Sequence, residues 1–206
     1  MKIALLGGTG SFGTALAVRL VAAGYDVVIG SRDPARAASS AAGVGAEGAS
    51  NEDAARAADL VVVATKAEAA IETAGALRDA IGGTPVLSVA SELRFTKAGV
   101  LPTDEPTSCA ERMQAVLDAP VVAGLHSLAA ATLGGQEAPD EDALVCGDDP
   151  DAKALALELA ERVTTGRAVD AGPLASARAL EGMTAVIVNV NKRYRAHAGL
   201  RVTGIR

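Results

Sequence analysis

Lys2-Ile3-Ala4-Leu5-Leu6-Gly7-Gly8-Thr9-Gly10-Ser11-Phe12-Gly13 opens the chain, and the architecture follows from how these residues must fold. The first five make a short, almost wholly apolar run, which suits a parallel strand buried on both faces. Thr14 to Ala23 is rich in Ala and Leu and ends at Gly24, so it reads as a helix. Between strand and helix, Gly8, Gly10 and Gly13 match G-x-G-x-x-G. In such a unit Gly8 permits the tight turn, Gly10 lets the backbone approach a pyrophosphate, and Gly13 lets helix and strand pack closely. The helix N-terminus adds free N–H groups and a positive dipole end. Glycines also cluster in purely structural turns, but the strand–turn–helix setting points to a bound dinucleotide.

Tyr25-Asp26-Val27-Val28-Ile29-Gly30 reads as the next strand, with Ser31-Arg32-Asp33-Pro34 at its carboxyl end. NAD-binding folds place an Asp or Glu here, about 20 residues past the glycines, on the ribose hydroxyls. Gly30, Ser31 and Arg32 stand there instead. A carboxylate would repel a 2′-phosphate, whereas a hydroxyl and a guanidinium bind one, so the substitution predicts NADP(H). Arg36, one turn into the following helix, is a second candidate phosphate cation. A solvated surface is the alternative for both arginines. Asp33 before Pro34 reads as a helix cap.

A short third strand is expected around Val44-Gly45-Ala46. Ser50-Asn51-Glu52-Asp53 then caps a helix through Ala58, and Asp59-Leu60-Val61-Val62-Val63-Ala64 is a buried strand. Thr65-Lys66 at its carboxyl end falls on the side where open α/β sheets bind ligands. A helix from Ala67 to Ile81 and a strand Pro85 to Val89 follow. Between Ser91 and Ser108 the periodicity lapses, and an irregular surface segment is expected. Helix Cys109 to Leu117 leads to strand Pro120 to Gly124 and then Leu125-His126. Position alone leaves His126 open between a satisfied polar residue and a group facing the same crevice as Thr9 and Lys66. Strand Asp142 to Gly147, a helix from Asp151 to Arg162, strand Thr165 to Asp170 and a long helix from Ser176 to Arg195 complete the chain. This alternation predicts an α/β fold with a doubly wound sheet. A Rossmann domain is expected over residues 1–120 and a small C-terminal α/β lobe over 121–206, or both as one continuous domain.

Half of the 206 residues are apolar, enough for a substantial core, and the net charge of -6 with no basic run speaks against nucleic acid or an anionic membrane as partner. No apolar run is long enough to span a bilayer, and the N-terminus reads directly as a strand rather than a cleavable leader, so a cytoplasmic protein is expected. Cys109 and Cys146 have no metal-ligand or redox spacing. Asp148-Asp149 before Pro150 reads as a helix cap, and no metal is expected. No serine elbow, Cys–His dyad or spaced carboxylate pair occurs, and no catalytic residue is assigned. Hydride transfer between two bound cofactors asks only for positioning.

Ala4-Leu5-Leu6-Gly7-Gly8-Thr9-Gly10, Gly30-Ser31-Arg32, Leu125-His126, Val145-Cys146-Gly147-Asp148-Asp149 and Asp170-Ala171-Gly172-Pro173-Leu174 together resemble the F420-dependent NADP reductases, in the same order along nearly the whole chain. The resemblance implies an NADP-binding Rossmann domain with a cleft where deazaflavin coenzyme F420 lies over the nicotinamide. It implies Thr9, Ser11 and Phe12 on the pyrophosphate loop, Ser31, Arg32 and Arg36 at the 2′-phosphate, and His126 beside the deazaflavin. The chain departs from the family pattern at Ala64-Thr65-Lys66, at Leu128-Ala129 and at the closing stretch Val202-Thr203-Gly204-Ile205-Arg206. Three readings follow: hydride exchange between NADP(H) and F420; NADPH-dependent reduction of an imine, ketone or flavin with Lys66 or His126 as proton donor; and a non-catalytic NADPH sensor. Small-molecule cofactors and a homodimer are the expected partners.

Overall fold

The computed structural model describes residues 1–205; Arg206, the last residue of the closing stretch, lies outside them. Strands β1 (Lys2–Leu6), β2 (Asp26–Ser31), β3 (Glu47–Ser50), β4 (Leu60–Val63), β5 (Val86–Ser88), β8 (Val121–Gly124), β9 (Ala143–Gly147) and β10 (Ala168–Asp170) form one sheet in the order β10-β9-β8-β5-β4-β1-β2-β3. From β3 to β8 the pairing is parallel, the order of a doubly wound nucleotide-binding sheet. Strand β9 then joins β8 antiparallel and β10 follows β9 in parallel. The sheet therefore continues across residue 120, with β8 as the sixth parallel strand.

Alternation along the central strands feeds two cores. Ile3, Leu5, Leu60 and Val62 point to a layer holding α1 (Ser11–Ala22), α2 (Pro34–Ala42) and α8 (Pro150–Val163). Ala4, Leu6, Val61 and Val63 point to the other layer, with α3 (Asn51–Ala57), α4 (Ala67–Ala76), α5 (Arg78–Ile81), α6 (Cys109–Gln114) and α9 (Ala177–Tyr194). Both faces of the sheet are thus covered, as the continuous apolar strands require.

Several boundaries differ from expectation, each for a local reason. The third strand is Glu47–Ser50 rather than Val44–Ala46, because Gly45 takes a left-handed φ of 75° and turns the chain first. The first helix begins at Ser11, with Gly10 as its N-cap, so Ser11, Phe12 and Gly13 are its first turn. The helix expected over 67–81 breaks at Leu77 into α4 and α5. The segment 91–108 carries an antiparallel hairpin, β6 (Leu93–Thr96) and β7 (Gly99–Pro102). Its four-residue strands lie largely outside the core, and with adjacent Arg94 and Phe95 both exposed they lack the alternation of a half-buried strand. The last strand is only Ala168–Asp170, since Thr164 and Thr165 turn their hydroxyls to the Pro139 carbonyl instead. A short helix, α7 (Ala130–Leu133), follows the turn after β8.

The tail is tied down by polar contacts. Asp142, fully buried, receives the Arg167 guanidinium at 2.7 Å and the Val202 amide at 2.8 Å. The Arg167 side chain, with the Val202 and Arg167 amides, holds its carboxyl well below the usual range.

Candidate active site

The loop between β1 and α1 has a division of labour that differs from the motif reading. Gly7, outside the G-x-G-x-x-G match, supplies the left-handed turn, with φ of 73°. A Cβ there would also lie 2.5 Å from Thr65 Cγ2. Gly8 and Gly13 are required by close packing: a Cβ on Gly13 would stand 2.6 Å from Gly8 Cα, and one on Gly8 would stand 2.8 Å from the Leu5 carbonyl oxygen. Gly10 is different. A Cβ there would meet only the Gly7 carbonyl oxygen, at 3.6 Å, and the residue borders the cleft.

That cleft has a volume of about 370 Å³ and brings together Gly7, Thr9, Gly10, Ser31, Arg32, Arg36, Thr65 and Lys66. It runs into a second hollow of about 290 Å³ between Ser31, Arg32, Ser50, Asn51 and the face of α4 that carries Ala69, Thr73 and Ala76. Both lie at the carboxyl ends of β1, β2, β3 and β4, where strand order reverses around β1 and β4. Helices α2 and α3 begin with side-chain caps, Asp33 and Ser50, whereas α1 and α4 begin uncapped at Gly10 and Lys66. The amides of the first α1 turn therefore have no protein partner to displace, which suits a phosphate. Arg32, Arg36 and Lys66 face the cleft, and the one carboxylate among its lining residues, Asp33, is occupied in accepting from the Ala35 and Arg36 amides.

Polar atoms left without a partner trace the same edge of the sheet. Asn51 Oδ1 beyond β3, Thr65 Oγ1 beyond β4, Ser88 Oγ at the end of β5 and His126 Nδ1 beyond β8 are all buried and unbonded within the described residues. Buried polar groups cost roughly 1–3 kcal/mol when unpaired; of these four only Asn51 and Thr65 line the cleft, and a fifth such atom, Glu141 Oε2, lies away from it. Asn51 and Ser88 were not singled out from the sequence. In the sequence Asn51 belongs to a helix start, and Ser88 is an ordinary strand residue until the sheet order places it beside β8.

His126 is set back from the cleft lining. Its ring is 6% exposed and does not line the cleft; Nε2 lies 3.2 Å from the Ala90 carbonyl oxygen. Leu125 before it takes a left-handed φ of 65°, which costs a leucine about 1–2 kcal/mol, and turns the chain under Ala90. Burial pushes the imidazole pKa down to about 4, partly offset by the bond to Ala90. A neutral ring with Nε2 donating to a carbonyl leaves Nδ1 as the unprotonated acceptor. Phe12 packs its ring against the apolar core, so its part in the loop is its backbone. Cys109 and Cys146 are buried, and burial pushes their thiols up to about 12 and about 11, so neither is a nucleophile.

A parallel sheet with this order, a glycine loop opening an uncapped helix and a cationic cleft at the switch point define a Rossmann-type dinucleotide-binding protein. Comparison with known proteins narrows this. Residues 2–92 match the family model described as NADP oxidoreductase, coenzyme F420-dependent. The chain is 36% identical to the F420-dependent NADP reductase of Methanothermobacter marburgensis, covering 100% of this chain and 99% of that protein. It is 34% identical to the reductase of the same name from Methanocaldococcus jannaschii, over 100% and 99% of the two chains. The chain belongs to the F420-dependent NADP reductase family. A solved Arthrobacter sp. FB24 structure, provisionally described as an F420-dependent NADP reductase, superposes with a TM-score of 0.85 at 28% identity, covering 99% of this chain and 100% of that one. An imine reductase from Streptomyces aurantiacus shares the fold, with a TM-score of 0.65 at 20% identity over 95% of this chain and 62% of that one.

Proposed function

We propose that this chain transfers hydride between NADP(H) and coenzyme F420. What carries the reading is the whole-length kinship to F420-dependent NADP reductases, together with a cleft whose groups suit the phosphorylated dinucleotide. When bound, the nicotinamide and the deazaflavin supply the hydride chemistry between their own ring carbons, so the protein contributes position and polarity. The amides of Ser11, Phe12 and Gly13 bind the pyrophosphate beside Gly8, Thr9 and Gly10. The Ser31 hydroxyl, Arg32 and Arg36 bind the 2′-phosphate, and the absence of an acid at these positions selects NADP(H) over NAD(H). Thr65 and Lys66 border the path toward the hydride end. His126 positions the β8 strand end against Ala90. Its ring is uncharged at neutral pH, which argues against His126 as the proton donor that imine or ketone reduction needs.

Among the described residues no helix is long and apolar enough to cross a membrane. The reading takes small-molecule cofactors as ligands, a cytoplasmic setting and a second copy of the chain as partner, the last checked by sedimentation. The activity is tested by mixing F420 with NADPH and the protein: loss of the deazaflavin visible absorbance, matched by NADPH oxidation, is expected. No absorbance change in either direction, with NADPH bound, refutes the reading.

A further inference from the structure

Helix α9 outruns the core that it packs against. Its last turns contain Val186-Ile187-Val188-Asn189-Val190, a run rich in β-branched residues, which lose side-chain freedom in a helix and hold one only when packing compensates. None of the four apolar residues in this run belongs to either core cluster; Val186 is 59% exposed and the other three are half-buried. An open groove of about 800 Å³ follows the same helix, lined by Ala179, Gly182, Met183 and Val186, by Pro102 of β7 and by Leu200 of the tail. The i, i+3 and i+4 spacing of its helical members makes one face, small at Ala179 and Gly182 and larger at Val186 and, one turn on, Val190. On the adjoining hairpin Phe95, the cross-strand partner of buried Val100, is 76% exposed.

Charge is divided along the same length. At the hairpin tip, Lys97, Lys192 and Arg193 line a hollow of about 550 Å³ that contains no carboxylate, and none of the three makes an ion pair among the described residues. Asn189 clamps this end, with Oδ1 accepting from the Val100 amide at 2.8 Å and Nδ2 donating to the Val100 carbonyl at 2.7 Å. At the other end, Arg178 donates to the Thr103 and Glu105 carbonyls and so fixes the exposed acids Asp104 and Glu105 beside the first turns of α9. Asp104 pairs with Arg94 at 3.1 Å, whereas Glu105 makes no ion pair among the described residues. From Arg178 to Lys192 the helix rises about 21 Å, which separates the two charge groups.

A face with small residues and acids at one end, and larger residues and bases at the other, is complementary to itself after a half-turn. We propose that two copies of this chain dock through this face, their α9 helices antiparallel about a two-fold axis near residues 182–186. This gives a surface to the second copy named above as partner, and it rests on that reading. Val186 of each copy then sits over the partner's Gly182, and Asp104 and Glu105 of each copy come opposite the partner's Lys97, Lys192 and Arg193. The helix with the two hairpin strands presents a face of about 27 Å by roughly 20 Å. On the order of 1,000 Å² is then covered over both copies, near the lower bound for a specific interface.

Sedimentation velocity tests the surface, with wild type expected as a dimer. Val186→Asp sets a carboxylate on each side of an apolar seam, and the dissociation constant should rise at least about a hundredfold. The position is exposed in a single copy, so the variant keeps its fold, with circular dichroism as the control. Lys192→Glu/Arg193→Glu and Asp104→Lys/Glu105→Lys each place like charges opposite one another, and each alone should weaken the dimer about tenfold or more. Mixed in equal amounts, the two variants restore opposite charges at both ends, so a heterodimer should form with close to wild-type strength and weaken as salt is raised. A Val186→Asp protein as dimeric as wild type, or a mixture no more associated than its components, overturns this face and leaves the second copy to dock elsewhere. A monomeric wild type removes both the surface and the second copy.

Discussion

Replacing Gly10 by Val separates binding from folding at the nucleotide loop. Gly10 has φ of -81° and ψ of 165°, an extended conformation open to any residue. The nearest atom to a new Cβ is 3.6 Å away, so the branched side chain fits the protein. It fits by occupying the cleft. Gly→X changes at compatible backbone positions stabilise by about 0.4–1 kcal/mol through the unfolded chain, so the melting temperature should hold or rise slightly. The first-turn amides of Ser11, Phe12 and Gly13 would lose a pyrophosphate kept at a distance by the isopropyl group. Charge-assisted bonds contribute roughly 1.5–3 kcal/mol each, so losing two costs about 3–6 kcal/mol, or about two to four decades in affinity. Tryptophan is absent, so NADPH fluorescence or calorimetry is the direct assay, with circular dichroism as the fold control. Gly13→Val is the contrast, since its Cβ would stand 2.6 Å from Gly8 Cα and the variant should lose several kcal/mol of stability. A folded Gly10→Val protein that binds NADPH within a few-fold of wild type would refute the placement of the pyrophosphate.

Arg32→Ala should cost about one to two decades in NADP(H) affinity and little for NAD(H), since one charge-assisted bond is lost; equal losses for both would remove Arg32 from the 2′-phosphate site. His126→Ala should lower kcat/KM for F420 by about one to two decades through lost positioning, yet leave the shape of the pH–rate profile from pH 6 to 8 unchanged, because the ring is uncharged there. A lost ionisation limb in that window would make His126 an acid after all. Glu181, buried on α9 with its carboxylate accepting from the Ala110 amide at 3.2 Å, has its pKa pushed up by burial to about 7. A raised carboxyl pKa favours the fold at low pH, and that contribution fades as pH rises from about 4.5 through 7, by at most about 1.4 kcal/mol per unit. Glu181→Gln should therefore gain melting temperature over wild type between pH 5 and pH 8, and a constant difference would show that Glu181 does not titrate in this range. His126 works in the opposite sense, losing stability as pH falls below about 6.5, so the comparison is made against wild type at each pH.

The sheet, and the gathering of Thr9, Gly10, Ser31, Arg32 and Arg36 around one cleft, were legible because their determinants are local. Apolar runs such as Leu60–Val63, the glycine spacing after Leu6 and the Asp33-Pro34 and Asp149-Pro150 helix starts each act within a few residues, and all appear at or near the expected places. Ser31, Arg32 and Arg36 were readable because their distance from the glycine loop is set by one βαβ unit. Other features depend on which strands meet. The antiparallel entry of β9 beside β8 is a choice of partner made by long-range packing, and it carries no signature in Asp142 to Gly147 itself. Gly7 rather than Gly8 takes the left-handed turn, and Thr65, just beyond β4, leaves no room for a Cβ there, a contact between residues far apart in sequence. The same holds for His126, whose burial under Ala90 requires β5 and β8 to be neighbours, and for Lys97, which meets Lys192 only because Asn189 clamps the hairpin to α9. Periodicity and motif spacing are properties of a chain segment and survive in the sequence. Burial, orphaned hydrogen-bonding groups and converging charges belong to surfaces that exist only once distant segments have packed.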